Sequence, residues 1–271
     1  EFAFIYNSLG TKVNVIEYTP QILGLLDSDV ADVIKDSAKE KGINIYENAK
    51  AVAIKNTLDG LKLLEVEIEG KIHHISSEKL AMATGRKANI QSLDLHNTSI
   101  KVIDGAIKTN EDFQTNVPHI YAIGDCNQKW MLAHAASASA KHVLQKILNK
   151  PSYTRFDLMP NCLYTHLQFA SVGIQEAELL EQEAKYRTHK YPFRANAMAM
   201  CTDETEGLMK LIIQEERLVG VAILHPQAST LIAQASLYIQ LDKTLEELSQ
   251  IIVAHPSITE ALAEAIQQAK L

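Results

Sequence analysis

The stretch that decides the fold runs from residue 12 to residue 46, KVNVIEYTPQILGLLDSDVADVIKDSAKEKGINIY. Its opening letters, KVNVIEY, alternate into an apolar run and predict a buried strand that ends at Glu17. Apolar residues then recur at helical spacing between a capping residue, Asp27 or Ser28, and a terminating Gly42. The closing letters INIY predict a second short strand. A strand, a helix and a strand in this order indicate a parallel, doubly wound α/β sheet.

After residue 50 the pattern changes to that of an antiparallel meander. Two hairpin dipeptides, Asp59-Gly60 and Glu69-Gly70, separate runs of strand-forming residues. We expect strands at residues 51–54, 61–68, 71–75 and 80–83.

The rest of the chain falls into two parts. A strand is expected at residues 119–123, followed by a long helix at residues 131–148 whose first half is filled with alanine and serine. From residue 151 the pattern is α+β, and the helix at residues 229–240 is apolar nearly all round, which suits a subunit interface. The other strands expected there are residues 163–173, 186–192, 208–215 and 218–224, with a turn at Glu216-Arg217, and the other helices are residues 175–184, 245–252 and 257–270.

Composition excludes several classes of protein. The chain has 271 residues, 46% of them apolar, and a net charge of −7 without a basic stripe, which argues against nucleic acid as a partner. Its apolar runs are shorter than the roughly 18 residues of a membrane helix, so we expect no membrane association. Cys126, Cys162 and Cys201 match no CxxC or CxxxxC pair, and isolated thiols favour a cytoplasmic protein. The sequence contains no metal-ligand spacing, so we expect no metal.

Glu17 stands where a nucleotide-binding domain carries an acidic residue. A carboxylate at the C-terminal end of that domain's second strand accepts hydrogen bonds from the adenosine ribose 2′-OH and repels a 2′-phosphate, which selects NAD over NADP. Such a site needs a glycine-rich loop about 20 residues earlier, which would precede Glu1. The alternative is that Glu17 is a solvated residue at a strand end.

Asp125 follows the strand predicted at residues 119–123. An acid at this place can bind a ribose or ribityl hydroxyl, although Gly124-Asp125 taken alone is more typical of a simple turn. The helix that begins near Met131 presents the free N–H groups of its first turn, and their partial positive charge suits a flavin that becomes anionic on reduction. The alternative is an ordinary helix start.

The letters HPSITE at residues 255–260 form a third constellation. A carboxylate bonded to one imidazole nitrogen fixes the tautomer and makes the other nitrogen a better base, able to take a proton from a thiol. His255 and Glu260 have the spacing for such a pair. Ser257 and Glu260 also have the spacing of a capping box, worth about 1 kcal/mol of helix stability, and spacing alone favours the cap.

In this order the motifs resemble the pyridine-nucleotide disulfide oxidoreductases, and within them the NAD-dependent lipoamide dehydrogenases. ATGRKAN at residues 83–89 resembles the family's ATGRxPN segment, and IYAIGD at residues 120–125 resembles its second flavin motif. MLAH at residues 131–134 matches the stretch that wraps the flavin ring. AHPS at residues 254–257, followed by Glu260, resembles the terminal catalytic motif.

The resemblance implies an α/β fold in three parts. These are a remnant of a Rossmann-like NAD-binding domain at residues 1–84, part of the FAD-binding domain at residues 85–152, and an α+β dimerisation domain at residues 153–271. It also implies the site residues: Glu1 near the nicotinamide, Glu17 at the adenosine ribose, Ala51 and Gly85 lining the NAD site by their backbone, Asp125, Met131, Leu132, Ala133 and His134 against FAD, and His255, oriented by Glu260, acting on the thiols of the partner subunit.

The implied activity is oxidation of dihydrolipoyl groups to lipoyl with FAD, NAD and a redox disulfide. The implied partners are a second copy of the chain, in a homodimer, and the lipoyl-bearing subunit of a 2-oxo acid dehydrogenase complex. The family's CxxxxC pair and glycine loops do not occur in these 271 residues, and the chain opens in an apolar helix without a methionine. We therefore expect the C-terminal portion of a longer protein, inactive by itself.

Some residues depart from the family pattern. Leu167-Gln168 follows His166 where Pro-Glu is usual, and Val253 stands where the family often has a histidine. These differences leave two rivals open: another disulfide reductase or a soluble transhydrogenase of the same family, and a non-catalytic dimerisation fragment. A transhydrogenase would lack the cysteine pair in the rest of the protein.

Overall fold

The computed structural model describes residues 1–24 and 26–270, so Leu271, the end of the predicted dimerisation domain, lies outside the described residues. Its helices are α1 (Phe2–Ser8), α2 (Ser28–Glu40), α3 (Ala133–Ile147), α4 (Glu176–Glu181), α5 (Ala197–Thr202), α6 (Ala228–Gln240), α7 (Leu245–Leu248) and α8 (Glu260–Ala269). Its strands are β1 (Asn14–Ile16), β2 (Asn44–Tyr46), β3 (Ala49–Asn56), β4 (Lys62–Ile68), β5 (Lys71–Ser77), β6 (Val102–Ile103), β7 (Ala106–Ile107), β8 (Asn161–Leu163), β9 (Phe169–Gly173), β10 (Arg187–Pro192), β11 (Leu208–Gln214) and β12 (Arg217–Leu224).

The chain divides into two compact units, one of Glu1–Leu80 with Pro160–Leu271 and one of Ala81–Met159. In the first unit β1 pairs in parallel with β2, and Asn14 lies opposite Asn44. Helix α2 connects these strands and buries one apolar face. The strand–helix–strand arrangement predicted from residues 12–46 is therefore confirmed.

The meander of β3, β4 and β5 is also confirmed. The three strands form an antiparallel sheet, and its two turns have Gly60, Glu69 and Gly70 at positive φ, as tight hairpins require. A register shift between Ala51 and Ala53 marks a bulge in β3. The strand predicted at residues 80–83 is wrong: no strand forms there, because a strand exists only where a neighbour pairs with its backbone.

The third part of the chain forms a five-stranded antiparallel sheet in the order β10-β11-β12-β9-β8. Gly173 and Gly220 face each other across β9 and β12 so closely that a Cβ on Gly220 would come within 2.1 Å of the Ile174 carbonyl oxygen. The predicted single strand at residues 163–173 is in fact two strands, β8 and β9. The turn after β11 is made by Glu215 and Glu216, both at positive φ, one residue before the predicted position.

Helices cover both faces of this sheet. Lys210, Ala222 and Ser171 are register partners and share one face, where Val30 and Ile34 of α2 pack. Helix α8 packs against β10 and β11, and α6 packs against β9 and β12. The helix predicted at residues 229–240 is confirmed as α6, and its Leu237 is 55% exposed within one chain. The role of this helix in a subunit interface stays a prediction.

Lys210 is a fully buried cation that joins three elements. Its ammonium group lies 2.8 Å from an Asp27 oxygen and 3.1 Å from an Asp29 oxygen of α2, and it also contacts Glu176 of α4. Asp27, predicted to cap α2, instead accepts a hydrogen bond from the N–H of Ala177 in the first turn of α4. Burial by itself lowers the pKa of Lys210, but its hydrogen bonds to the three carboxylates outweigh burial and raise the pKa.

The second compact unit holds β6, β7 and α3. Its core contains Ala88, Ile90, Ile107 and Ala122. The strand predicted at residues 119–123 is wrong, since only an isolated bridge between Gln114 and Tyr121 forms. The helix predicted at residues 131–148 is confirmed as α3 with slightly shorter ends.

Lys210→Met is expected to lower the free energy of unfolding by about 3–5 kcal/mol, because it leaves the buried carboxylates without their cation. Lys190→Met is the matched control: Lys190 also contacts Asp29, at 2.6 Å, but its side chain is 50% exposed, so a cost below about 1 kcal/mol is expected. Urea unfolding followed by circular dichroism measures both. Equal effects of the two substitutions would contradict the assigned role of Lys210.

Candidate functional site

His255 and Glu260 form the most strongly defined candidate site. The His255 Nδ1 atom lies 3.0 Å from one oxygen of Glu260, whose other oxygen accepts a hydrogen bond of 2.7 Å from the N–H of Ser257. An ionised carboxylate only accepts, so Nδ1 carries the proton and Nε2 of the neutral ring is left as the basic nitrogen. The His255 side chain is 71% exposed, whereas that of Glu260 is 14% exposed.

The capping-box interpretation of this segment is only half right. Helix α8 begins at Glu260, after Thr259, and no side chain caps it. The Ser257 hydroxyl contacts the Thr259 hydroxyl, at 2.8 Å, instead of an N–H group of the helix. Glu260 therefore supplies one half of a capping box, through the Ser257 N–H, and uses its second oxygen to orient His255.

The pKa of Glu260 is lowered from its ordinary value. The largest cause is the hydrogen bond from the Ser257 N–H; partial burial opposes it, and the contact with His255 adds to the lowering. Glu260 therefore remains an anion, and so an acceptor for the Nδ1 proton of His255, across the neutral range.

Glu17 lies directly after β1, as predicted. One of its carboxylate oxygens accepts two hydrogen bonds of 2.7 Å, from the N–H and the hydroxyl of Thr19, while its backbone pairs with Tyr46 and Ala49. Thr19 holds the carboxylate by one oxygen, which leaves the second oxygen for a ligand hydroxyl. Sequence analysis missed Thr19, although a hydroxyl two residues after an acidic residue is a common local partner.

Two other residues predicted for the NAD site lie in the same compact unit. Glu1 precedes α1, and its carboxylate accepts a hydrogen bond of 2.8 Å from the N–H of Tyr164. Ala51 lies exposed in β3 at the edge of the bulge. Their roles toward NAD stay predictions.

In the second unit, Arg86 brings three of the sequence motifs together. Its guanidinium group donates a hydrogen bond of 2.7 Å to the carbonyl oxygen of Met131 and lies 4.0 Å from a carboxylate oxygen of Asp125. Gly85, at positive φ, precedes it. Arg86 is part of the ATGRKAN motif but was not predicted as a site residue. The sequence feature that could have identified it is the acidic residue, Asp125, at the end of the next motif.

The predicted flavin-contacting stretch leads into α3. Leu132 is the N-cap residue of the helix and makes no side-chain cap hydrogen bond, and Ala133 and His134 form the first turn. A Cβ on Gly124 would lie 3.4 Å from the Cβ of Ala136, so the Gly124–Asp125 turn packs directly on the small residues of α3.

The three cysteines do not pair with one another in a disulfide. Cys126, Cys162 and Cys201 are free thiols, and burial raises the pKa of Cys126 and Cys162, which disfavours the reactive thiolate.

In residues 1–24 and 26–270 no group of three or more His, Cys, Asp or Glu side chains is arranged to hold a metal ion. Over the same residues, no helix is both long and apolar enough to cross a lipid bilayer.

Comparison with known families decides the identity of the fold. The pyridine nucleotide-disulphide oxidoreductase profile matches residues 1–140, and the profile of that family's dimerisation domain matches residues 159–266. The chain belongs to the pyridine nucleotide-disulphide oxidoreductase family. The predicted family resemblance and α/β fold class are thereby confirmed, and FAD and NAD are the cofactors of this family.

Curated members of the family are similar along nearly the whole chain. The chain is 32% identical over 269 residues to leghemoglobin reductase of Glycine max, 31% over 269 residues to mitochondrial dihydrolipoyl dehydrogenase of Pisum sativum, and 32% over 271 residues to dihydrolipoyl dehydrogenase of Thermus scotoductus. Each match covers 98% of this chain but only 51%, 54% and 59% of these relatives. The chain therefore spans little more than half the length of the curated relatives it matches.

Solved structures of the family have the same fold. LpdA from Mycobacterium tuberculosis superposes with a TM-score of 0.90 at 25% identity, over 99% of this chain and 59% of that one. The flavoprotein disulfide reductase RclA from Escherichia coli superposes with a TM-score of 0.88 at 22% identity, over 98% of this chain and 61% of that one.

Glu260→Gln is expected to lower the free energy of unfolding of the protein at pH 6, and this loss should become smaller as the pH falls to 3. The folded pKa of Glu260 is lowered, so its contribution is complete above the unfolded pKa, near 4.5, and is lost as the pH falls through the folded value. Urea midpoints of wild type and variant at both pH values measure this difference.

Ser257→Ala is the control for that measurement, because it keeps the backbone N–H that binds Glu260. A change below about 0.5 kcal/mol is expected, against about 1 kcal/mol for loss of a true N-cap. A pH-independent effect of Glu260→Gln, or a large effect of Ser257→Ala, would contradict the assigned contacts.

Proposed function

We propose that this chain is the C-terminal part of a flavoprotein that oxidises dihydrolipoyl groups to lipoyl. In the proposed reaction, the two thiols of the dihydrolipoyl group reduce an enzyme disulfide to a dithiol and themselves become a disulfide. The two electrons then pass by way of FAD to NAD, so that dithiol and NAD⁺ give disulfide, NADH and one proton. FAD supplies the step that links two-electron thiol chemistry to hydride transfer.

The observation that supports this function most directly is the His255–Glu260 pair. Its Nδ1 proton is directed to Glu260, and no residue in the described part of the chain forms a hydrogen bond with its Nε2 atom. A neutral, exposed imidazole with this tautomer is a general base that can take the proton of an incoming thiol. In our proposal, the thiols are those of the dihydrolipoyl group and of the disulfide site in the partner subunit.

The residues present fit the two cofactors of the family. The second carboxylate oxygen of Glu17 would accept a hydrogen bond from the adenosine ribose of NAD, and the backbone of Ala51 would line that site. Gly85 stays a predicted NAD contact of the second unit. Asp125 would accept a hydrogen bond from a flavin hydroxyl, with the guanidinium group of Arg86 4.0 Å away. Met131, Leu132, Ala133 and His134 would contact the flavin ring at the start of α3, where the helix dipole places a partial positive charge that favours an anionic ligand.

The proposed assembly is a homodimer that acts on the lipoyl-bearing subunit of a 2-oxo acid dehydrogenase complex. The match of residues 159–266 to a dimerisation domain supports the dimer. The domains proposed are residues 1–84 for NAD, 85–152 for FAD and 153–271 for dimerisation. A cytoplasmic location remains a prediction, and relatives with mitochondrial names are similar at the same level.

These 271 residues are expected to show no turnover by themselves. The three cysteines are free thiols, so the disulfide that the proposed reaction requires must come from other residues of the whole protein. Turnover of dihydrolipoamide and NAD by a sample of verified mass would contradict this expectation.

His255→Gln in the whole protein is expected to lower kcat/KM for dihydrolipoamide by about 10²–10⁴-fold, the usual contribution of a general base. Reduction of a non-thiol dye by NADH should be unchanged, because no thiol proton moves in that reaction. His74→Gln, at an exposed histidine beside Glu65, is the control. An unchanged dithiol reaction in His255→Gln would count against the assigned base, and a wild-type protein without any dithiol reaction would favour a transhydrogenase or a dimerisation module.

Glu17→Gln is expected to raise KM for NAD by roughly 10- to 100-fold, the loss of a charge-assisted hydrogen bond of about 1.5–3 kcal/mol. KM for NADP should fall relative to that for NAD, because the charge that repels a 2′-phosphate is gone. Steady-state kinetics with both nucleotides measure the ratio, and Glu40→Gln, at an exposed residue of α2, is the control. An unchanged ratio would show that Glu17 does not contact the ribose.

A further inference from the structure

Asn196 is a fully buried polar residue that hydrogen-bonds to two separate segments of backbone and also contacts the side chain of Tyr191. Its side-chain oxygen accepts a hydrogen bond of 3.0 Å from the N–H of Ala199 and so caps α5. Its side-chain amide donates a hydrogen bond of 3.2 Å to the carbonyl oxygen of Ser257. The first contact is that of any helix N-cap. The second contact reaches 61 residues along the chain into the segment that carries His255.

Ser257 is held at both ends of its backbone. Its carbonyl oxygen accepts from Asn196, and its N–H donates to Glu260, at 2.7 Å. The other oxygen of Glu260 contacts the imidazole of His255. The position of the imidazole therefore depends on a short path of hydrogen bonds that begins in the buried core and ends at an exposed ring.

Tyr191, in the sheet, holds the start of α8, the helix that follows the Ser257 loop. Its side chain is fully buried in β10, and its hydroxyl donates to Glu264, one turn after Glu260 on α8. Burial, together with the bond to Glu264, raises the pKa of Tyr191, so this hydroxyl keeps its proton and remains a donor. The start of α8 is thus fixed by Tyr191, and the loop before it by Asn196.

Little else restrains His255. Its side chain is 71% exposed, and in the described part of the chain Glu260 provides its one hydrogen bond. The Ser257 carbonyl oxygen also accepts a longer hydrogen bond, of 3.4 Å, from the N–H of Glu260. Without the donor on Asn196 it would keep only this longer bond, and the loop would be free to shift relative to α8. A displacement of about 1 Å at a reacting group can cost roughly 100-fold in rate.

We propose that Asn196 is a positioning residue that fixes the tautomer and placement of His255 by holding the carbonyl oxygen of Ser257. This inference rests on the proposed function of His255 as the base for thiols. It goes beyond that function because it assigns a role to a residue in a different element, at the start of α5, that touches no reacting atom.

The test uses Asn196→Ser in the whole protein. Serine is as good an N-cap as asparagine, so α5 keeps its cap, but its hydroxyl is too short to reach Ser257. Asn196→Asp is the second variant, since it also caps α5 and has no N–H to donate. Thr244→Ala, which removes the side-chain cap of α7, is the control for a purely structural loss.

The deciding readout is the tautomer of His255, measured by ¹⁵N NMR of histidine-labelled protein. Wild type and Thr244→Ala should hold the Nδ1–H form, and both Asn196 variants should show a mixture. The kcat for dihydrolipoamide should fall roughly 10- to 100-fold in the Asn196 variants, with KM for NAD unchanged.

A wild-type tautomer in the Asn196 variants would overturn the proposal whatever their kcat. The NMR result does not depend on turnover. A wild-type protein that does not oxidise dihydrolipoamide would therefore refute the proposed function and still leave the tautomer to decide the role of Asn196.

Discussion

The buried ammonium group of Lys210 is the constraint on which the first compact unit depends. A cation removed from water is tolerated only where carboxylates surround it closely. Asp27 and Asp29 at the start of α2, and Glu176 at the start of α4, meet this requirement from two different parts of the chain. The parallel pair of strands that α2 connects is thereby fixed to one face of the five-stranded sheet, and Glu17 is fixed with it.

The opposite face of the same sheet carries the candidate base. Tyr191 and Met209 are neighbours on β10 and β11, and Tyr191 holds α8 through Glu264. Helix α8 begins with the carboxylate that orients His255. One sheet therefore supports the residue proposed to hold the nucleotide ribose on one side and the residue proposed to accept the thiol proton on the other.

Local patterns predicted local structure well. The parallel strands around α2 and the glycine hairpins of the meander lie within short stretches, where spacing alone specifies the geometry. The His255–Glu260 pair is equally local, but its spacing also fits a capping box, and the family resemblance was needed to favour the pair. The order of the motifs along the chain indicated the family. The two family profiles that match the chain then confirmed it. The strands predicted at residues 80–83 and 119–123 failed because an apolar run shows that a strand is possible and does not show what pairs with it.

Long-range contacts were out of reach for the same reason. Asp27 has the sequence signature of a cap, yet its carboxylate accepts a hydrogen bond from Lys210, 183 residues away. Leaving a buried ammonium group unpaired costs more free energy than leaving a solvated helix end uncapped. Asn196 and Ser257 are likewise 61 residues apart, and neither has a pattern that identifies the other. Such contacts appear only once packing brings the elements together.

Anaerobic mixing of the whole protein with dihydrolipoamide, followed by the visible absorption of the flavin, tests the central claim most directly. The account predicts that the dithiol reduces the bound flavin and that added NAD then restores the oxidised spectrum. A flavin that NADH reduces but dihydrolipoamide leaves unchanged would contradict it.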